Sequence, residues 1–338
     1  MASIRYYNRV FPCDEGQSVL DVLLENGQDV PHSCKMGVCT TCIMQLVEGD
    51  LPEQAQAGLR DSMVARGRFL PCVCQPTADI QITSIAEQDL FSPAVVHTID
   101  YIEADICRIF LETVTPLYYR AGQFMNLRRE DGLVRSYSLA SVPRSDTRLE
   151  FHIKRLARGE MSNWLLDSLK PGDHLGVQGP TGNCFYQPDN PDQNMLLVGN
   201  GTGLAPLLGI ARDALSSGHT APIRLYHGSQ KKAGLYSGDS LRALEAEYDN
   251  FQYIPCVSRD SESEGYRKGR ADDVAFSDTQ SLKDWRVFLC GYPPMVNSAT
   301  GRALSMQAKI EDIYTDPYEL KDLRKQSRSV ENDRRSQT

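Results

Sequence analysis

No segment of the 338-residue chain stays apolar for the roughly 20 residues that a membrane-crossing helix needs. The opening, MASIRYYNRVF, has no apolar signal core, so the sequence reads as cytoplasmic, where thiols stay reduced and a disulfide framework is a poor account of its cysteines. Positive charge is not in excess: 36 Lys and Arg stand against 44 Asp and Glu, a formal −8, which argues against nucleic acid as a partner. Histidine is scarce and scattered, six in all, so no oxygen-activating metal site of the chain's own is expected. No internal repeat is found. The charged end, ELKDLRKQSRSVENDRRSQT, is expected to be disordered.

Cysteine, by contrast, is plentiful at ten. PHSCKMGVCTTCIMQL carries Cys34, Cys39 and Cys42 in the spacing C-x4-C-x2-C, and FLPCVCQP adds Cys72 thirty residues further on, with Cys74 beside it as a spare. Three close thiols and one distant one match the way plant-type [2Fe–2S] ferredoxins hold their cluster. Structural zinc is the alternative, but it favours short C-x2–4-C knuckles, and here only Cys39/Cys42 has that form. Gly37 allows the loop to curl so that N–H groups face sulfur. Most of the other six cysteines, Cys13, Cys74, Cys107, Cys184, Cys256 and Cys290, read as small core residues, with Cys290 the exception.

The string CKMGVCTTC…FLPCVC resembles the ferredoxin domain of bacterial oxygenase reductases, in which ferredoxin precedes a flavin reductase on one chain. The resemblance covers about the first quarter. Positions 1–90 hold 6 basic against 12 acidic residues, so most of the negative charge sits there. Steering of a basic partner and a merely solvated surface both account for it.

The periodicities change twice along the chain. IRYYNRVFPC reads as a strand, SVLDVLLENG as a helix capped by Ser18 and stopped by Gly27, CIMQLVEGDL as a strand entering a turn, and ADIQITSI as the strand closing a first domain. From SPAVVHTIDYI to GNCFYQP, short turn-separated strands imply a small antiparallel barrel, interrupted by the helix MSNWLLDSLKPG, which Pro171 and Gly172 stop. After residue 192, apolar strands alternate with helices, the pattern of a parallel sheet covered on both faces.

In VRSYSLAS, Arg135, Tyr137 and the adjacent backbone present charge and an aromatic surface to one groove, although a cross-strand tyrosine packed in a barrel fits equally. RGEMSNWLL places Gly159, Met161 and Ser162 at a helix N-terminus, whose free N–H groups suit a pyrophosphate. RSYS followed by HIKR…GEMS resembles the flavin domain of the ferredoxin–NADP reductase superfamily. The resemblance implies that Arg135 contacts flavin phosphate, Tyr137 packs on the ring and Ser138 approaches its reactive nitrogen. Lys154 stands where relatives often carry Arg, keeping the charge without the bidentate fork. FAD over FMN follows from the domain order of the family alone.

LLVGNGTGLAPLL runs from a buried strand through Gly199, Gly201, Thr202 and Gly203 into a helix with Pro206 in its first turn, a backbone that admits a dinucleotide. FLCGYPPMV supplies Cys290, Gly291 and Met295. In the superfamily these two motifs border the nicotinamide and the cysteine stands near hydride transfer; an ordinary buried strand residue is the plainer account of Cys290. Ser229, Lys231 and Lys232 in YHGSQKKAGLY suit a 2′-phosphate, while the oxygenase-reductase resemblance implies NADH, so the nucleotide is left as NAD(P)H. IYTDPYELKD resembles the end of the reductase fold, which implies that Tyr318 lies over the flavin; an anchor for the last turn is the alternative.

These readings combine into a multidomain α+β and α/β chain. Residues 1–90 are a β-grasp [2Fe–2S] ferredoxin domain, 91–190 an antiparallel FAD-binding β-barrel, 191–318 a doubly wound NAD(P)-binding domain, and 319–338 a tail. The expected activity is electron transfer from NAD(P)H through FAD, with Ser138 and Cys290 at the hydride step, to the cluster held by Cys34, Cys39, Cys42 and Cys72. The implied acceptor is a terminal oxygenase, a hydroxylase or a separate ferredoxin, served by a monomer. A reductase for a deoxysugar dehydratase or a desaturase is the alternative enzyme. A zinc-bearing, nucleotide-sensing module is the alternative from another class.

Overall fold

The segment IRYYNRVFPC, expected as one strand, is a hairpin in the computed structural model, which describes residues 2–260 and 265–318. The tail expected over 319–338 lies outside the described residues. Strand β1 (Ala2–Tyr6) pairs antiparallel with β2 (Arg9–Cys13). The chain reverses at Tyr7, whose φ is +51°. An aromatic residue seldom takes that conformation, so only Asn8 signalled the break. Strands β3 (Met44–Glu48), β4 (Arg68–Phe69) and β5 (Ile80–Thr83) complete a sheet of order β2-β1-β5-β3-β4. Helix α1 (Val19–Glu25) packs on it. Ser18 Oγ accepts the Asp21 N–H at 3.1 Å to start the helix, and Gly27, at φ +69°, follows its end. Val19, Leu20, Val22 and Leu23 are buried with Ile4, Phe69 and Ile82, giving the β-grasp core. Two single-turn helices follow, α2 (Asp61–Val64) and α3 (Glu87–Leu90).

The second sheet is antiparallel. It comprises β6 (Ser92–Glu103), β7 (Ile106–Thr113), β8 (Phe124–Arg128), β9 (Val134–Ser138), β10 (Leu149–Lys154) and β11 (His174–Thr181), in the order β10-β7-β6-β11-β8-β9. Its ends meet where Leu139 bridges Phe151 and the Ala140 N–H reaches the Glu150 carbonyl at 2.9 Å, closing a barrel. Helix α4 (Glu160–Asp167) turns Met161, Leu165 and Leu166 into the barrel core. It stops before the expected Pro171, because the Leu169 N–H folds back to the Trp164 carbonyl at 3.1 Å.

The third sheet is parallel throughout: β12 (Met195–Asn200), β13 (Ile223–Ser229), β14 (Phe251–Val257), β15 (Arg267–Lys268), β16 (Arg286–Gly291) and β17 (Ile313–Pro317), ordered β15-β14-β13-β12-β16-β17. Helices α5 (Leu204–Ser216), α6 (Gly238–Glu247), α7 (Ala271–Ser277) and α8 (Pro293–Ser305) cover it. Leu197, Leu225 and Phe288 enter one core and Leu196, Tyr226 and Leu289 the other, as the two-residue period of a strand buried on both faces requires. The chain leaves β12 toward β13 on one side and returns to β16 on the other. A crevice therefore opens at the carboxyl ends of β12 and β16, where doubly wound sheets bind ligands.

Candidate active site where the three sheets meet

The loop between α1 and β3 carries Cys34, Cys39 and Cys42, and Cys72 reaches it from just beyond β4. The thiols form two close pairs, Cys34 with Cys39 and Cys42 with Cys72. The N–H groups of Met36 and Cys39 donate to Cys34 Sγ at 3.3 and 3.4 Å. Cys39 Sγ accepts the Cys34 N–H at 3.5 Å and Thr41 Oγ1 at 3.1 Å. The Cys39 thiol lowers its neighbour Cys34 to about 5 against the effect of burial, and the N–H groups of Met36, Cys39 and Val38 act in the same direction. Gly37 has φ +76°, and a Cβ there would stand 3.1 Å from the Val73 side chain. Two thiol pairs faced by N–H donors fit a two-iron cluster with two sulfurs on each iron.

A cleft of about 630 Å³ separates this loop from the barrel, a size suited to a cofactor. Cys34 and Cys39 line it on the loop side. Arg135, Tyr137 and Ser138 line it from β9, Lys154 from the end of β10, and Gly159, Met161 and Ser162 from the start of α4. One Nη of Arg135 donates to the Val134 carbonyl at 2.7 Å, anchoring the guanidinium at the cleft wall. Burial pushes the Tyr137 phenol well up, so the ring is neutral. A Cβ at Gly159 would fall 2.4 Å from Ser162 Oγ, which accepts the Leu156 N–H and donates to the Gly159 carbonyl, both at 3.1 Å. No side chain caps α4, so the N–H groups of its first turn, whose residues line the cleft, are left without a side-chain partner. Lys154 Nζ is 3.6 Å from Asp105, an exposed pair that divides its charge between cleft and carboxylate.

Gly201, Thr202 and Gly203 form a single 3-10 turn after β12. A Cβ at Gly203 would lie 2.5 Å from the Cys290 carbonyl, and one at Gly291 would lie 2.3 Å from Asn200 Oδ1. Glycine at both positions lets the ends of β12 and β16 close on one another. Pro206 is buried in the first turn of α5. Cys290 is fully buried with Sγ 3.7 Å from Cys184 Sγ, and burial pushes its thiol well up; it does not line the cleft. Tyr318 lies between: its N–H donates to the Gly291 carbonyl at 2.7 Å and its hydroxyl to the Thr202 carbonyl at 3.0 Å. Thr202 of the turn lines the cleft while Gly201, Gly203, Pro206 and Gly291 do not, and Met295 and Ser229 stand apart from it as well. Met295 is 1% exposed on the inner face of α8, in the core, because the helix begins at Pro293 and turns that position inward. Ser229 ends β13, its carbonyl accepting the Ser258 N–H at 3.0 Å.

Three family patterns match the chain in sequence: a 2Fe-2S iron-sulfur cluster binding domain over residues 4–77, an oxidoreductase FAD-binding domain over 94–186 and an oxidoreductase NAD-binding domain over 197–301. The reductase subunit of an aromatic O-demethylase from an Amycolatopsis species is 35% identical over 303 residues, spanning 85% of this chain and 89% of that protein. The chain belongs to the family of ferredoxin-fused oxygenase reductases. The reductase component of a naphthalene 1,2-dioxygenase system from Pseudomonas putida is 31% identical, over 92% of this reductase and 96% of that protein. A solved structure of a cytochrome P450 reductase from Amycolatopsis is similar over 94% of this chain and 99% of that one, with 31% identity and a TM-score of 0.68. The reductase carries a [2Fe–2S] cluster and FAD and draws electrons from NAD(P)H, and the zinc-sensing alternative falls away.

Several polar residues of the reductase's cleft were not anticipated. Asp316 accepts from Ser138 Oγ at 2.5 Å; it keeps part of its surface open to the cleft but is crowded elsewhere, and that burial pushes its carboxyl up to about 6. His152 Nε2 meets Glu150 Oε1 at 2.9 Å and its Nδ1 meets the Tyr236 hydroxyl at 3.0 Å. Tyr236 packs edge-on to His227, whose Nε2 donates to the Gly201 carbonyl at 3.2 Å. A buried polar chain thus connects the barrel with the nucleotide turn. Its signal was present in the sequence, since Glu150, His152 and Lys154 share one face of β10 by the period of two. Asp316 gave no such signal, because only the pairing of β17 with β16 sets it opposite Cys290.

Proposed function

We propose that Cys34, Cys39, Cys42 and Cys72 hold the cluster, that Arg135, Tyr137 and the N-terminus of α4 hold FAD, and that NAD(P)H enters the crevice between the Gly201–Gly203 turn and Cys290–Gly291. The observation that carries this reading is a single cleft lined by both the cysteine loop and β9. FAD held there would supply the conversion of a hydride's electron pair into single electrons, and a cluster on the four cysteines would accept them one at a time. The side chains supply position and charge. Arg135 offers a fixed cation to phosphate, Ser138 and Asp316 hold a proton at the cleft floor, and Tyr318, tied to Gly291 and Thr202, fills the mouth of the crevice, so it must give way before a nicotinamide can stack. Ten free thiols suit a reducing compartment, the cytoplasm.

The acceptor is a terminal oxygenase or hydroxylase, as the demethylase and dioxygenase systems of the relatives suggest. The net −6 of residues 1–90 favours a partner with a basic docking face. Mixing the purified reductase with oxygenase components encoded near it should give nucleotide oxidation coupled to hydroxylated product, at a rate that falls as salt is raised. Nucleotide oxidation that yields only peroxide with every such component would count against an oxygenase as acceptor.

A further inference from the structure

Asn126, 1% exposed in the middle of β8, spends its side-chain amide on three partners, two in its own sheet and one in the cysteine loop. Nδ2 donates at 2.8 Å to Gln178 Oε1 on β11 and at 2.8 Å to the carbonyl of Cys39 in the cysteine loop. Oδ1 accepts from Ser136 Oγ on β9 at 2.7 Å. The orientation of the amide is fixed, because the Cys39 carbonyl can only accept and only the nitrogen end of the amide can donate. Ser136 lies between Arg135 and Tyr137 on the strand that lines the cleft, and Cys39 lines it from the opposite side. One buried side chain therefore ties the cysteine loop to the strand expected to carry the flavin. A contact elsewhere between the first domain and the barrel, Arg60 Nη2 to the Pro180 carbonyl at 3.5 Å, is long and exposed.

Burying an amide costs free energy unless every polar atom is matched, and Asn126, on the face of β8 opposite the barrel-core residues Met125 and Leu127, has a partner for both its nitrogen and its oxygen. We propose that Asn126 is a positioning residue for the one-electron step: it holds the cysteine loop at a set distance from β9 and so governs transfer from flavin to cluster while leaving the hydride step alone. The proposal rests on the placement of cluster and flavin given above.

Asn126→Asp tests it. The aspartate keeps the shape and the bond from Ser136 but turns an acceptor toward the Cys39 carbonyl. Iron and flavin content should match the parent, and flavin bleaching by NADH in anaerobic stopped flow should keep its rate. The later phase, cluster reduction followed by rapid-freeze paramagnetic resonance, should slow by about tenfold or more, because a displacement near 1 Å is costly to a positioned reaction. Hydrogen exchange of amides in residues 33–42 should quicken. Ser136→Ala, which removes only the buttress of Asn126, should shift the same two readouts by less. Parent rates of cluster reduction with parent exchange in both variants would overturn the latch while leaving the cofactor sites standing. Loss of iron or flavin from both variants would make Asn126 structural and overturn it also. Absence of any cluster reduction in the parent would overturn the underlying site reading.

Discussion

Ser138 and Asp316 share a hydrogen bond whose direction depends on one proton. With its carboxyl raised to about 6 by burial, Asp316 is ionised above that pH and holds the Ser138 hydroxyl proton; below it, Asp316 can donate and Ser138 is free to turn toward the cleft. Flavin bleaching by NAD(P)H should therefore quicken as pH falls through about 6, and Asp316→Asn should give a flat profile. A parent profile already flat from pH 5 to 8 would remove Asp316 from the hydride step. Arg135→Ala should shed flavin on gel filtration, with affinity lowered about tenfold or more for loss of one charge-assisted phosphate contact; full retention of flavin would place the phosphate elsewhere. At this scale the sequence was informative wherever chemistry depends on local spacing. Cys34, Cys39 and Cys42, and Arg135 with Tyr137 two positions on, are groupings of that kind, and the structure brings Cys34, Cys39, Arg135 and Tyr137 to one cleft. Asp316 and Asn126 were silent, because their partners lie 178 and 87 residues away.

Among the elements, β13 carries a histidine whose burial has a measurable cost. His227 is fully buried, and desolvation lowers its ring to about 4 from 6.5, even though its bond to the Gly201 carbonyl acts the other way. A depressed histidine leaves the unfolded chain binding more protons between those values. Its contribution is complete above about pH 6.5 and is lost as pH falls toward 4, a span worth about 3 kcal/mol. His227→Gln keeps a donor for Gly201 and cannot charge, so melting temperature should fall less steeply over that window than in the parent. Parallel curves would show that His227 does not titrate on unfolding. Secondary structure was legible where periodicity was strong, as in α1, α5 and the apolar runs of β12 and β16. It failed at Tyr7, where a tight turn is made by a residue that rarely adopts it, and at α7, ADDVAFS, which lacks the capping serine and the dense apolar face that mark the equally short α1.

For the whole molecule, the order of cluster, flavin and nucleotide modules could be read from motifs. Their meeting in one cleft could not, because it depends on loops brought together by the closure of the barrel and by the switch point of the parallel sheet. The central claim is that electrons delivered by NAD(P)H pass through this cleft to a cluster on Cys34, Cys39, Cys42 and Cys72. Anaerobic titration with NADH, followed together by flavin absorbance and low-temperature paramagnetic resonance, tests it most directly. The parent should bleach its flavin and then develop the signal of a reduced [2Fe–2S] cluster, whereas Cys39→Ser should bleach its flavin and develop no such signal. A parent whose flavin bleaches while no cluster signal arises, or a Cys39→Ser protein with the full parent signal, would contradict the account.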